Sequence, residues 1–244
     1  MSKVIVITGA GSGLGRALAR CFVADGDHVV LLGRTMSKLE AVVGELGDNA
    51  LAVGCDVGNP DSVRAAFAKI AERHPKIDVL INNAAKIDYS TLARASDSHI
   101  IDIVMTNLAG NMFASRAAIN MMERGGHIIN VTSVSVEEPY PHHVVYQGSK
   151  GGVEAMSKHL QDELRPDGIR VTVVRAGPML DEDYQAQSGA EESAAFFQAS
   201  LERGMNLMEM PVSHFKSITW VFRSLIDMPD DMHVDTLRFN SRKP

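Results

Sequence analysis

Val4-Ile5-Val6-Ile7-Thr8-Gly9-Ala10-Gly11-Ser12-Gly13-Leu14-Gly15, leading into Arg16-Ala17-Leu18, is the stretch that decides the fold. The β-branched run reads as a short buried strand, the alternating glycines as a tight turn, and the residues after them as a helix. Glycine is needed where backbone turns sharply and comes close to a pyrophosphate, whose charge is then met by N–H groups at the helix N-terminus. A flexible turn is the plainer alternative. A strand before and a helix after instead put these glycines where an open α/β sheet binds a dinucleotide. Gly9, Gly11, Ser12, Gly13, Leu14 and Gly15 are therefore candidate cofactor-binding residues. The spacing Gly9-x-x-x-Gly13-x-Gly15 differs from the usual G-x-G-x-x-G.

The same alternation continues along the chain. Short apolar runs at Val4 to Thr8, His28 to Leu32, Leu51 to Gly54, Val79 to Asn82, His127 to Val131 and Ile169 to Val174 predict six strands. Helical patterns near 14–24, 36–46, 61–73, 98–123 and 145–164 lie between them, with start and stop signals at Asp61, Asp97 and Pro166. The strand runs are continuously apolar, as strands buried on both faces require. The fold class is therefore α/β: a doubly wound, Rossmann-like parallel sheet of about seven strands with helices on both faces. The seventh strand is expected within His233 to Phe239. One stretch, Met179 to Met210, breaks the pattern. It is acidic at first (Asp181, Glu182, Asp183, Glu191, Glu192), then methionine-rich (Met205, Met208, Met210), and reads as an insertion before the last helix.

At 244 residues the chain fits one domain, 1–244, and 45% hydrophobic residues suffice for a substantial core. A net charge of −6 without any basic tract argues against nucleic acid or an anionic membrane as partner and leaves small molecules. Cys21 and Cys55 stand far apart, outside any CxxC or Cys/His cluster, so neither a disulfide nor a metal site is expected and a cytoplasmic location fits. The apolar part of the N-terminus is too short for a signal peptide, and no run reaches membrane-spanning length.

Tyr146 and Lys150 stand four residues apart in Tyr-Gln-Gly-Ser-Lys, and Ser133 lies thirteen residues before the tyrosine, just past a strand run. On a helix, positions i and i+4 share a face, so the Lys150 ammonium can lie beside the Tyr146 phenol and favour its ionised form. That is how a phenol becomes a proton shuttle near neutral pH. Unrelated surface residues would give the same spacing. The glycine loop and the strand-end serine favour chemistry.

Together these motifs resemble the short-chain dehydrogenase/reductase superfamily, in its compact single-domain branch, from about residue 3 to residue 178. Asp56-Val57 occupies the place of the family's adenine contact. Asn82-Asn83-Ala84-Ala85 matches its Asn-Asn-Ala-Gly signature, with Asn83 and Ala84 at the cofactor, and Asn107 matches its long-helix asparagine. The resemblance implies an oxidoreductase moving hydride between nicotinamide and a carbonyl or alcohol substrate. Ser133 would bind the substrate oxygen, Tyr146 would donate or accept the proton, Lys150 would contact the nicotinamide ribose, and Asn107 would hold a water leading to solvent. A homodimer or homotetramer is implied as well.

Gly33-Arg34 ends the second strand, where an acidic residue would accept bonds from ribose hydroxyls and repel a 2′-phosphate. Arg34 suits a phosphate, so NADP(H) is the expected cofactor. Arg175-Ala176-Gly177-Pro178-Met179-Leu180-Asp181 stands where the family has Pro-Gly-x-Val-x-Thr around the nicotinamide amide. Gly177 and the Met179 backbone keep that role while Asp181 replaces the threonine. Residues 179–210 take the position of the family's variable substrate lid, and their methionines form an adaptable apolar wall, plain core or a subunit contact. His142 and His143 face either substrate or a neighbouring loop, with surface imidazoles the plainer reading, and Lys86 is either a pocket edge or a solvated lysine. The competing functional reading is a catalytically silent NADP(H)-binding sensor or scaffold of the same fold.

Overall fold

Strand β1 (Val4–Thr8) alternates its side chains between two separate cores: Ile5 and Ile7 enter one, Val6 the other. A strand buried on both faces needs helices on both. The computed structural model describes residues 2–180 and 188–242 and supplies them. The strands β2 (His28–Gly33), β3 (Ala50–Gly54), β4 (Val79–Asn82), β5 (His127–Ser133), β6 (Arg170–Ala176) and β7 (Thr236–Phe239) join β1 in one seven-stranded parallel sheet of order β3-β2-β1-β4-β5-β6-β7. Helices α1 (Gly13–Ala24), α2 (Met36–Leu46) and α8 (Phe215–Ile226) cover one face, burying Leu18, Phe22, Leu39 and Phe222 against Ile5, Ile7 and Leu31. On the opposite face α3 (Pro60–Arg73), α5 (Gly110–Ile119) and α6 (Val144–Leu164) bury Phe67, Ile70, Ala114 and Leu164 against Val6, Leu80 and Ile128.

Two local signals act as expected. Asn59 caps α3 by accepting from the amides of Asp61 and Ser62, and Pro60 takes the first helical position, where a missing N–H costs nothing. The seventh strand forms within the expected stretch as a half-exposed edge.

The helix expected over 98–123 is interrupted once and ends early. It begins as α4 (Asp97–Val104), passes through a π turn at Met105–Ala109, continues as α5 and stops at Ile119. It stops early because the Met121 carbonyl accepts the Ile77 amide, which bends the chain back toward the start of β4. The stretch that breaks the sequence pattern contains a further helix, α7 (Ala190–Glu202), which buries only Phe196 and Ser200. So thin an apolar stripe gives little periodicity to read.

Below the carboxyl edge of the sheet, Asn82 and Asn130 face each other as register partners on β4 and β5, and the Asn82 side-chain amide donates to Asn130 Oδ1 at 2.9 Å. The same amide reaches Ser115 Oγ at 2.9 Å, and Asn130 donates to Ser157 Oγ at 2.8 Å. These groups are buried. The polar ladder therefore ties two strands to the helices over them.

Candidate active site

The residues read as functional arrive at the carboxyl ends of the strands, where open α/β sheets bind ligands. Gly9 adopts φ +68°, a conformation hostile to side chains, and a Cβ on Gly15 would stand 2.5 Å from the Gly9 carbonyl oxygen. The loop after β1 can therefore lie directly against the first turn of α1. Ser12 is the N-cap of α1, exposed and with no capping bond from its side chain, and the first-turn amides from Gly13 to Gly15 have no partner within the helix. Leu14 contributes only backbone here, since its side chain is buried in the core. Asn83 clamps the loop from β4: its side-chain amide donates to the Thr8 carbonyl at 2.9 Å, while Thr8 Oγ1 accepts from the amides of Asn83 and Ala84 at 3.0 and 2.9 Å. This cradle fits a pyrophosphate.

Beyond the cradle, Arg34 is exposed at the end of β2, and Lys38, also exposed, lies four residues on in α2 beside Gly11. Lys38 escaped the sequence reading, although its i+4 spacing from Arg34 was available as a signal. Asp56 is exposed after β3 and accepts from the Gly58 amide at 3.1 Å, while Val57 is buried.

The residues expected to handle the proton lie on β5 and α6. Tyr146 and Lys150 are both buried on one face of α6, with Lys150 Nζ 6.0 Å from the Tyr146 ring centroid. Nζ donates to the Val131 carbonyl at 2.7 Å, so one of its three hydrogens fixes the side chain against β5. Burial lowers the Lys150 ammonium from its ordinary range to about 8, leaving it charged at neutral pH. Ser133 ends β5, and its Oγ accepts from the Ser135 amide at 3.2 Å. That capping bond uses a lone pair and leaves the hydroxyl hydrogen to donate. Asn107 sits in the π turn, fully buried, donating to the Lys86 carbonyl at 3.0 Å and Ser149 Oγ at 3.1 Å and accepting from the Lys86 amide at 2.8 Å. Its carboxamide pins the loop after β4. Lys86 is half-buried, and its ammonium pairs with Asp102 in a solvent-exposed contact.

A buried cation has a thermodynamic signature. Lys150→Met is expected to stabilise the ligand-free protein at pH 7 by about 2 kcal/mol, a few degrees in Tm. The folded lysine binds its proton less tightly than the unfolded one, so its penalty is full below about pH 8 and is relieved as pH rises toward 10.5. The Tm advantage of the variant should shrink across that interval. A lower Tm at pH 7, or a constant gain, would contradict the assignment.

The turn after β6 is held from behind. The Pro178 carbonyl accepts from the Ser213 amide at 3.1 Å and Ser241 Oγ at 2.9 Å, and Met179 bridges to Ser213. Gly177 and Met179 are thus fixed beside the strand end that carries Ser133; Asp181 lies outside the described residues. His143 is buried rather than a surface imidazole. Its ring meets Tyr146 at 5.1 Å, Tyr89 at 4.9 Å and Phe196 of the lid helix at 5.1 Å between centroids, and Tyr89 stacks on Phe196 at 4.1 Å. A cleft of about 520 Å³ opens nearby, lined by Ser90, Tyr140, His142, Val144 and Glu202 among others.

A glycine cradle after β1 and a buried tyrosine–lysine pair on α6, over β5 in the same sheet, are the marks of a doubly wound nucleotide-binding fold. A family model described as short chain dehydrogenase matches residues 3–193, and the chain belongs to that family, whose members are oxidoreductases using nicotinamide cofactors. Among its relatives is chlorophyll(ide) b reductase NOL of Arabidopsis thaliana, 36% identical over 79% of this chain and 59% of that protein, so less than two thirds of its length is matched. Carbonyl reductase family member 4 of Danio rerio is 32% identical over 80% of this chain and 82% of that protein. A short-chain dehydrogenase from Streptomyces avermitilis, 24% identical, shares the fold with a TM-score of 0.86 over 98% of this chain and 88% of the other. An alcohol dehydrogenase from Thermococcus sibiricus, solved with 5-hydroxy-NADP, is 25% identical with a TM-score of 0.83 over 100% and 99% of the two chains.

Proposed function

We propose that this chain is an NADP(H)-dependent oxidoreductase that interconverts a carbonyl and an alcohol, with Tyr146 giving the proton in reduction and taking it in oxidation. The observation that carries the reading is the buried Lys150 ammonium 6.0 Å from the Tyr146 ring, beside the strand that ends in Ser133. The cofactor, when bound, supplies or accepts the hydride. Gly9 to Gly15 would hold its pyrophosphate, Arg34 with Lys38 its 2′-phosphate, Asp56 and Val57 its adenine, and Asn83 and Ala84 the floor beneath it. Gly177 and the Met179 backbone would hold its amide.

The chain's own residues place and move the proton. Ser133 donates to the substrate oxygen and orients it toward Tyr146. Lys150 favours the phenolate by charge and would meet the nicotinamide ribose with its remaining hydrogens. Because the Asn107 carboxamide is committed to Lys86 and Ser149, a water leading from Lys150 to solvent falls to the Asn107 main-chain carbonyl in the π turn. Residues 179–210 serve as the lid within a single domain. A cytoplasmic homodimer or homotetramer completes the proposal; exposed Ile101 and Met112 on one side and Trp220 on the other suit subunit contacts.

The test is NADPH oxidation, followed by nicotinamide absorbance, across a panel of ketones and aldehydes. Turnover of at least one class is expected. Tight NADPH binding with silence across the panel would favour the cofactor-binding sensor instead.

A further inference from the structure

Directly before the catalytic helix the backbone is forced into an unusual shape. His142 adopts φ +55°, alone among the described non-glycine residues, and its carbonyl is held by the Ser90 amide at 2.8 Å. Such a conformation persists only where neighbouring contacts impose it. Here it separates the side chains, leaving Val144 exposed while His143 is 8% exposed. His143 Nδ1 is buried and makes no well-formed hydrogen bond to a described residue, although the ring interacts with the Pro141 carbonyl. An orphaned polar atom in a folded interior calls for an explanation. Among the other such atoms, those of His28 and His127 lie at the amino ends of β2 and β5, far along the strands from the chemistry, whereas Asn82 Oδ1 and Ser135 Oγ lie toward the carboxyl ends of β4 and β5. That of His143 belongs to a ring packed against Tyr146, three residues away on the same helical face. Tyr89 and Phe196 complete an aromatic wall around it.

We propose that His143 is a substrate-binding residue whose Nδ1 takes a hydrogen bond from, or gives one to, a second polar group of the substrate, close to the carbonyl held by Ser133 and Tyr146. This rests on the carbonyl chemistry proposed above. The imidazole is neutral, because burial and the neighbouring His142 push it down to about 4 against a smaller opposing pull from the Pro141 carbonyl. A neutral partner in a desolvated wall does not compensate a carboxylate. The second group is therefore uncharged, and a hydroxyl satisfies either imidazole tautomer. The surrounding rings favour a flat, apolar body. The substrate class is thus an aryl or similarly planar ketone with an uncharged hydroxyl on the adjacent carbon. Phe196 sits on α7, which buries only this ring and Ser200, and the proposal requires substrate to displace it.

The experiment compares three ligands, acetophenone, 2-hydroxyacetophenone and benzoylformate, on the NADPH-loaded wild type and on His143→Phe, which keeps an aromatic ring and loses both nitrogens. Affinity is read by calorimetry and kcat/KM by NADPH oxidation. The wild type should prefer the hydroxyketone to acetophenone by about 10- to 100-fold and should disfavour the carboxylate, and the variant should bring the hydroxyketone preference close to one. NADPH affinity of the variant reports that the fold survives. Equal affinity for hydroxyketone and acetophenone in the wild type, or an unchanged preference in the variant, overturns the assignment; so does a loss shared equally by both ligands, which marks a packing role. Absence of NADPH oxidation with every ligand overturns the reductase reading instead and leaves the affinity comparison decisive for His143.

Discussion

Tyr146→Phe is expected to lower kcat by about 10²- to 10⁴-fold while NADPH affinity stays within about twofold of the wild type. The substitution removes one oxygen and keeps the ring that His143 contacts, so the wall beside the lid helix should hold its shape. What disappears is the phenol hydroxyl proposed to pass the proton to and from the substrate oxygen. Lys150 cannot stand in easily, since its ammonium is anchored on the Val131 carbonyl. The loss should appear in kcat and in kcat/KM alike, because the missing interaction belongs to proton transfer rather than ground-state binding. Stopped-flow NADPH binding beside steady-state turnover checks both halves. Retention of more than about a tenth of wild-type kcat would sink the proton-transfer role.

Arg34→Ala should weaken NADPH by roughly 10- to 100-fold and leave NADH nearly unchanged. Arg34 is exposed, with no hydrogen bond or ion pair to a described residue, so removing it breaks none of those. Its charge is available to a ligand phosphate, and the only chemical difference between the two cofactors is that phosphate. Lys38 lies near enough to share the load, so Arg34→Ala with Lys38→Ala should lose more NADPH affinity than the single variant. Parallel titrations with both cofactors decide the matter. Equal weakening of NADPH and NADH would mean that Arg34 acts on something other than the 2′-phosphate.

Most of the frame was readable because buried parallel strands leave an unambiguous mark. Val4 to Thr8 and Val79 to Asn82 occur at the residues expected, since continuous β-branched runs between glycine- or asparagine-rich ends have few other uses. Tyr146 with Lys150, the glycine loop and Ser133 were likewise legible, as each is fixed by local spacing and by position at a strand end. What escaped depends on partners remote in sequence. The inward turn of His143 requires a left-handed His142 braced by Ser90, more than fifty residues earlier. The π turn around Asn107 is invisible to a 3.6-residue period, and its asparagine is committed by Lys86 from another loop. Helix α7 buries too little to leave a stripe.

The asparagine ladder beneath the site acts as a ruler. Because side chains on a strand alternate faces, a slip of β4 against β5 by one residue would set Asn82 beside Ile129 or Val131 and strand two amides in a dry interior. That mispairing is costly, so the observed alignment is favoured over a one-residue slip. The relative height of Asn83, which clamps the cradle, and Ser133, which meets the substrate, is therefore set three residues below the serine by groups that never touch a ligand. Alignment errors at the chemical end are disfavoured in advance, by grammar written lower in the sheet.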